Sequence, residues 1–294
     1  THSVFNITAT LVWLPFSNLL VKLACLTIRD DKVDEISRED QEFMILESRF
    51  LEKPAFAVEQ GRNAAKHMEQ DSRKILDIAL GLIYSYSDEQ AERVQKLESK
   101  IDRYEDELGT YLVKLNNKDL SERDSHSVSI MLHCIGDFER ISDHAVNIME
   151  SAQELHEKNI SFSPQARNEL QVLIAVVSRI VDTAYQVFDK QDLNLTRDVE
   201  PLEEIVDELS KELKRRHVNR LRLGECTIEM GFILTDLITS LERIADHCSN
   251  ISVCVTQVRE NLYDTHSHLE NLKNEPDDSY YNRLGELHKE YVLP

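Results

Sequence analysis

The chain has 294 residues, with 34 Lys and Arg against 54 Asp and Glu, so its formal net charge is −20. That acidity argues against a nucleic-acid partner, because phosphate binding needs clustered basic residues, and it favours cations or basic protein surfaces instead. The seven Gly and six Pro provide few tight turns, which argues against an all-β fold and favours long helices.

The first 28 residues differ in composition from everything that follows. Residues 4–28 include one charge, Lys22, and are otherwise largely apolar. A span of roughly 20 to 25 residues could cross a bilayer. The basic residues Lys22 and Arg29 come late, which suits the cytoplasmic end of a final membrane helix and not a secretory signal. We therefore predict that residues 1–28 end a membrane domain and that residues 29–53 form a linker helix; a core helix docked on the soluble body and an interfacial anchor are the alternatives.

From Ser37 onward, apolar residues return at spacings of three and four, which predicts almost continuous α-helix. Ser163 followed by Pro164 is typical of an N-cap and a first helical position. Turn-rich segments interrupt the pattern elsewhere. The predicted helices span residues 54–86, 88–116, 121–158, 164–190, 197–219 and 224–262.

These six helices fall into two sets of three, so the predicted fold is all-α, with two tandem three-helix bundles at residues 54–160 and 161–262. The polar tail, residues 263–294, has Pro276 in a turn and is predicted to end in a short helix.

A duplicated motif supports this division. The stretch FERISDHAVNI, residues 138–148, recurs as LERIADHCSNI, residues 241–251, and seven of the eleven positions match. LESKID, residues 97–102, and LEEIVD, residues 202–207, precede the two copies by 41 and 39 positions. Repeated Ile is explained by packing, but repeated Glu, Arg, Asp, His and Asn are not. The repetition therefore indicates a duplicated bundle whose polar positions have a function.

The repeated carboxylates are spaced four residues apart, which places each pair on one face of its helix beside the core stripe. If neighbouring helices pack antiparallel, each bundle brings four carboxylates together. Such faces repel unless they are protonated, paired with Arg or bridged by a cation, and hard ions such as Mg²⁺, Mn²⁺, Ca²⁺ and Fe³⁺ prefer carboxylate oxygen. The predicted metal ligands are Glu98, Asp102, Glu139, Asp143, Glu203, Asp207, Glu242 and Asp246.

The alternative interpretation is that each acidic stripe is ordinary solvated surface. Arg140, Arg243, His144 and His247 lie on a neighbouring stripe, where they either form a salt-bridged helix edge or contact the phosphate of a ligand. A di-iron enzyme would need Glu-x-x-His on two helices, and no Glu lies three positions before any of the eleven His. Walker, nucleophile-elbow and HExxH motifs are also absent, so no enzyme is predicted.

The paired motifs in LESKID with FERISDH and in LEEIVD with LERIADH resemble the PhoU family, regulators of phosphate signalling built from two three-helix bundles. The resemblance covers roughly residues 54–262. HSVFN followed by LVWLPFSNLLVKL is similar to the end of the membrane domain of bacterial sodium-dependent phosphate cotransporters, which a PhoU-like region often follows.

This resemblance implies a regulatory or accessory module of a sodium:phosphate symporter, placed at the inner membrane with the residues after about 29 in the cytoplasm. It implies Mg, Mn or Fe at the carboxylates named above. The implied partners are the transporter's membrane domain, phosphate and sodium through that domain, phosphate-signalling proteins and a second copy of the chain. The alternative function is a free-standing acidic helical scaffold that binds basic proteins without metal.

Overall fold

The computed structural model describes residues 43–260 and 278–294. Contacts divide the chain into a unit of residues 1–44 and a unit of residues 45–294, and every α-helix described below belongs to the second unit. The predicted membrane segment, residues 1–28, and most of the predicted linker helix lie outside the described residues.

The predicted all-α fold is confirmed, since the described residues form helices and no strands. Among the described residues of the second unit there are six long α-helices and one short one. In chain order they are α1 Pro54–Leu82, α2 Asp88–Asn116, α3 Glu122–Glu157, α4 Pro164–Lys190, α5 Leu193–Arg222, α6 Ile228–Glu260 and α7 Asp278–Glu290.

Local sequence signals set several helix starts. The Ser121 and Ser163 side chains accept hydrogen bonds from the backbone N–H groups three residues later, as N-caps do. Pro164 then occupies the first turn of α4, where a missing N–H costs nothing. These caps fix where the third helix of the first bundle and the first helix of the second begin.

Several predicted helix limits need correction: α1 ends at Leu82 and not at residue 86, and α6 begins at Ile228 and not at residue 224. Helix α5 begins at Leu193, four residues before the predicted start, because the Asp192 side chain accepts from the Asn194 N–H and caps it; Pro201 is accommodated within the helix. Within the predicted linker helix, Met44–Leu46 and Ser48–Glu52 are short 3-10 helices. The residue before a proline disfavours helical backbone, and Lys53 before Pro54 has non-helical angles, φ −123° and ψ 83°.

The helices form two three-helix bundles, α1–α3 and α4–α6, within which every helix contacts the other two. Between the bundles, α3 and α6 make the most extensive contact, and α1 also touches α4. Helix α7 packs on α5. The E-R-I-x-D-H motifs therefore lie on the two helices that join the bundles.

Aromatic packing and polar bonds hold the bundles together. The buried Phe138 ring of α3 makes edge contacts with Tyr185 and Phe188 of α4, at centroid distances of 5.3 and 5.0 Å. The Tyr185 hydroxyl is 2.8 Å from the Ser72 Oγ of α1. Ion pairs between α1 and α4 flank this core, Arg73 with Asp182 and Lys66 with Asp189.

Helix α4 is the one described helix that is long and apolar enough to cross a membrane by length and composition. Half of that apolar window is buried inside the structure. Leu173, Val177 and Ile180 on α4 are fully buried, so α4 has the composition of a bundle's core helix.

Candidate functional site

The first carboxylate face consists of Glu98 and Asp102 on α2 and Glu139 and Asp143 on α3. On α3 the predicted core stripe is buried, and Glu139 and Asp143 are half-buried at its border. On α2, Glu98 is half-buried and Asp102 is exposed. The carboxylates therefore lie where the α2–α3 groove meets solvent. The buried stripe of α3 comprises Ile135, Phe138, Ile141, Ala145 and Ile148.

The four charges of the first face act on one another across the two helices. Burial first, and then the carboxylates of Asp143 and Asp102, raise the pKa of Glu139 to about 7, although Arg140 opposes them. Burial also raises the pKa of Glu98, again with help from Asp102 and Asp143. The structure therefore brings all four predicted ligands of this bundle into one electrostatic cluster.

Little positive charge opposes this cluster. Arg140 Nε lies 3.5 Å from Glu139 Oε2, and the Arg140 side chain is 63% exposed. Glu98 accepts a hydrogen bond of 3.3 Å from Ser99 Oγ. Within the described residues, Glu98, Asp102 and Asp143 have no ion pair with a basic side chain. The first face is therefore a group of three half-buried acids and one exposed acid, and their charge is largely uncompensated.

The donor chemistry of the first face fits a hard cation, since all its side-chain donors are carboxylate oxygens. In the part of the chain that the structure describes, no three His, Cys, Asp or Glu side chains converge closely enough to hold a metal ion. Ion binding at this face would therefore require the carboxylate rotamers to turn inward, which their partial exposure permits.

The second carboxylate face consists of Glu203 and Asp207 on α5 and Glu242 and Asp246 on α6. Three of these acids have basic partners. Lys214 Nζ lies 2.6 Å from Glu242 Oε2, Lys211 Nζ lies 3.1 Å from Asp207 Oδ2, and Arg243 lies 3.0 Å from Asp246 Oδ2.

Helix α7 adds a further contact to the second face. Burial and the nearby carboxylates of Glu204, Glu200 and Glu203 together raise the pKa of Tyr280 to about 12, so this phenol lies beside the acidic side of α5. The two faces match in their carboxylates and differ in the lysine and tyrosine side chains that approach only the second one.

The stripe of Arg and His residues beside the two faces joins the bundles. His247 Nδ1 of α6 lies 2.9 Å from Asp137 Oδ1 of α3, and Asn250 donates to the same oxygen. The His144 ring stacks on His247 at a centroid distance of 5.7 Å. The two imidazoles thus form polar and ring contacts where α3 and α6 join the bundles.

Comparison with known proteins places the helical part of the chain in a family. The PhoU domain model matches residues 65–152 and 170–255, one segment in each bundle and together more than half of the chain. The chain belongs to the PhoU family. The E-x-x-x-D residues of both faces fall within the two matched PhoU segments.

The chain is similar in sequence to proteins that are named as PhoU homologues. The chain is 30% identical over 115 residues to the phosphate-specific transport system accessory protein PhoU homolog 1 of Thermotoga maritima; the alignment covers 39% of this chain and 49% of that protein, about half of its length. The PhoU homolog of Deinococcus radiodurans is 22% identical over 194 residues, which cover 65% of this chain and 88% of that protein.

Solved PhoU structures share the fold. The crystal structure of PhoU from Pseudomonas aeruginosa superposes with a TM-score of 0.65 at 23% identity and covers 70% of this chain and 98% of that one. The phosphate transport system regulatory protein PhoU from Streptococcus pneumoniae gives 0.64 at 17% identity and covers 72% of this chain and 100% of that one. At these identities the likeness shows the two-bundle PhoU fold.

Sequence reasoning identified the carboxylates and missed the residues that compensate them. Lys211, Lys214 and Tyr280 approach the second face, and Asp137 pairs with His247. A position-by-position comparison of the two repeats would have revealed the lysines, because the first repeat has Asp106 and Gly109 where the second has Lys211 and Lys214.

Proposed function

We propose that this PhoU-family chain is a regulatory accessory module of phosphate transport, without enzymatic activity, and that its first carboxylate face binds a hard cation. The observation that supports the cation most directly is the largely uncompensated cluster of the half-buried Glu98, Glu139 and Asp143 with the exposed Asp102. The role in phosphate transport is supported by family membership and by the accessory-protein names of the relatives.

The first face would hold the ion between two helices. Glu98 and Asp102 would supply oxygen ligands from α2, and Glu139 and Asp143 would supply them from α3. A bound Mg²⁺, Mn²⁺ or Fe ion would supply positive charge to this face and polarise any anion that reaches it. Ligation would also remove the energetic cost of holding Glu98 and Glu139 half-buried without a counter-charge.

We also propose that residues 1–28 connect this module to the membrane domain of a sodium-dependent phosphate cotransporter. The support is the likeness of HSVFN and LVWLPFSNLLVKL to the end of such domains. The module would then lie on the cytoplasmic side of the inner membrane. Sequencing the gene upstream of the Thr1 codon tests this link: further hydrophobic spans are expected, and an open reading frame without them would overturn it.

Cation binding is tested on the full 294-residue chain. The protein is freed of metal, titrated with Mn²⁺, Mg²⁺ or Fe²⁺, and analysed for bound metal. We expect wild type to retain an ion and Glu139→Gln with Asp143→Asn to lose it. The matched control, Asp88→Asn with Glu92→Gln, removes the same charge from exposed positions of α2 and should bind like wild type.

Equal metal content in wild type and the Glu139/Asp143 variant would overturn cation binding at this face and favour a metal-free scaffold for basic proteins.

Phosphate uptake by cells that express the intact gene tests the regulatory role. We expect the Glu139/Asp143 variant to change the uptake response to external phosphate and the control pair to leave it unchanged. Identical responses in all three strains would exclude a regulatory role for the first face.

A further inference from the structure

The two carboxylate faces differ in net charge, and one source of this difference is an aligned position in α2 and α5. The α2 and α5 motifs align with an offset of 105 residues, which pairs Glu98 with Glu203 and Asp102 with Asp207. The same offset pairs Gly109 with Lys214. The first bundle therefore has no side chain at the position from which the second bundle extends an ammonium group.

Lys214 reaches across from α5 to α6. Its Nζ lies 2.6 Å from Glu242 Oε2, and the two side chains are 36% and 20% exposed. Glu242 is the counterpart of Glu139, a residue that the structure leaves half-buried beside other acids. Partial burial strengthens such a charge pair relative to one in water, so the ammonium group neutralises the central acid of the second face.

Other groups reinforce this difference. A second aligned position has Asp106 in the first bundle and Lys211 in the second, and Lys211 pairs with Asp207. The phenol of Tyr280 on α7 lies beside Glu203. Around the first face, by contrast, Arg140 is the one basic partner within the described residues.

We propose that Lys214 is a built-in cation that takes the place of a metal ion at the second carboxylate face, so that the first face alone binds a hard cation. The inference concerning the first face rests on the proposed function; that concerning Lys214 does not. A metal ion could reach Glu242 only by displacing an ammonium group tethered to the adjacent helix, and until then the two positive charges would repel each other.

The proposal predicts that a lysine side chain at position 109 would neutralise the first face as Lys214 neutralises the second. A Cβ added at Gly109 would meet the Ile135 Cδ1 atom at 3.6 Å, an ordinary van der Waals distance. A lysine there would start from the position that aligns with Lys214 and could reach Glu139. The exchange of a single residue should therefore convert each face into the other type.

The experiment counts Mn²⁺ ions bound per chain by equilibrium dialysis of the full chain. Lys214→Ala should bind one ion more than wild type, and Lys214→Arg, which keeps the positive charge, should bind the same number as wild type. Gly109→Lys should bind one ion fewer than wild type, and Gly109→Ala should bind the same number. Circular dichroism of each variant checks that the helices remain.

The increment produced by Lys214→Ala decides the proposal. One added ion supports it when wild type binds one ion or none; no added ion in a folded Lys214→Ala variant, or two ions in wild type, overturns it. The wild-type number itself tests the proposed function, because an ion lost in Glu139→Gln with Asp143→Asn belongs to the first face. Wild type without metal that gains one ion in Lys214→Ala would refute the first-face site and uphold the role of Lys214.

Discussion

The imidazole rings of His144 and His247 stack 5.7 Å apart, with an interplanar angle of 29°, where α3 and α6 join the two bundles. His247 has a carboxylate partner, Asp137, at 2.9 Å. His144 is half-buried, and burial lowers its pKa below the ordinary value of 6.5; the nearby His247, Arg243 and Arg140 also lower it, while Asp143 opposes them.

This lowered pKa makes stability depend on pH. A histidine that protonates more readily in the unfolded state stabilises the folded state above its unfolded pKa, and that stabilisation is lost as the pH falls. We expect the free energy of unfolding to decrease as the pH drops below about 6.5, and His144→Gln to reduce this dependence. Urea unfolding between pH 5 and 8 measures it, with the exposed His133→Gln as control. Equal pH slopes for wild type and His144→Gln would contradict the prediction.

Glu69 makes stability change with pH in the opposite direction. It is 7% exposed in α1, its Oε2 atom has no hydrogen-bond partner, and burial together with Asp189 raises its pKa to about 8. The contribution of Glu69 to the free energy of unfolding is fully present below about pH 4.5 and is lost as the pH rises towards 8. Glu69→Gln should stabilise the protein at pH 8 by at most about 4 to 5 kcal/mol, measured by urea unfolding. Exposed Glu59→Gln is the control, and a gain independent of pH would contradict the prediction.

The second bundle contains a buried ion-pair cluster. Glu169 of α4 is 0% exposed and contacts Arg220 at 2.8 Å and Arg216 at 3.0 Å, both on α5. Glu169→Gln should lower the free energy of unfolding by about 3 to 5 kcal/mol, because it leaves the buried Arg220 without its counter-charge. Glu169→Leu with Arg220→Leu should recover much of the loss in a denaturant titration. A double variant less stable than Glu169→Gln would contradict the explanation.

Substitution of two helical glycines by alanine should change the stability of the protein in opposite directions. A Cβ on Gly231 in α6 would lie 2.6 Å from His217 Nε2, whose ring is buried, so Gly231→Ala must displace that ring. We expect a loss of about 1 to 3 kcal/mol. A Cβ on Gly136 in α3 meets nothing within 4 Å, and Gly136→Ala should gain about 0.5 to 1 kcal/mol from helix propensity. Thermal unfolding compares them, and a destabilising Gly136→Ala would refute the steric argument.

Much of the fold followed from local patterns in the sequence. The caps at Ser121 and Ser163 and the apolar stripe from Ile135 to Ile148 depend on backbone geometry within a few residues, and the structure has them where the pattern predicts. The early start of α5 was missed because the polar segment DLNLTRDVEP, residues 192–201, suggests a break, whereas the Asp192 cap permits a helix that runs through it. Helix type follows from spacing; a helix limit near a proline depends on which competing local signal prevails.

The sequence by itself determined the two-bundle class and the positions of the paired carboxylates, because residues four apart must share a helix face. Only the tertiary structure decided which charges meet. Glu139 and Asp102 act on each other across helices, Lys214 reaches Glu242, and Phe138 packs against the other bundle. Such contacts depend on how neighbouring helices are rotated and packed against each other. For this reason two nearly identical motifs have different electrostatic surroundings in the folded protein.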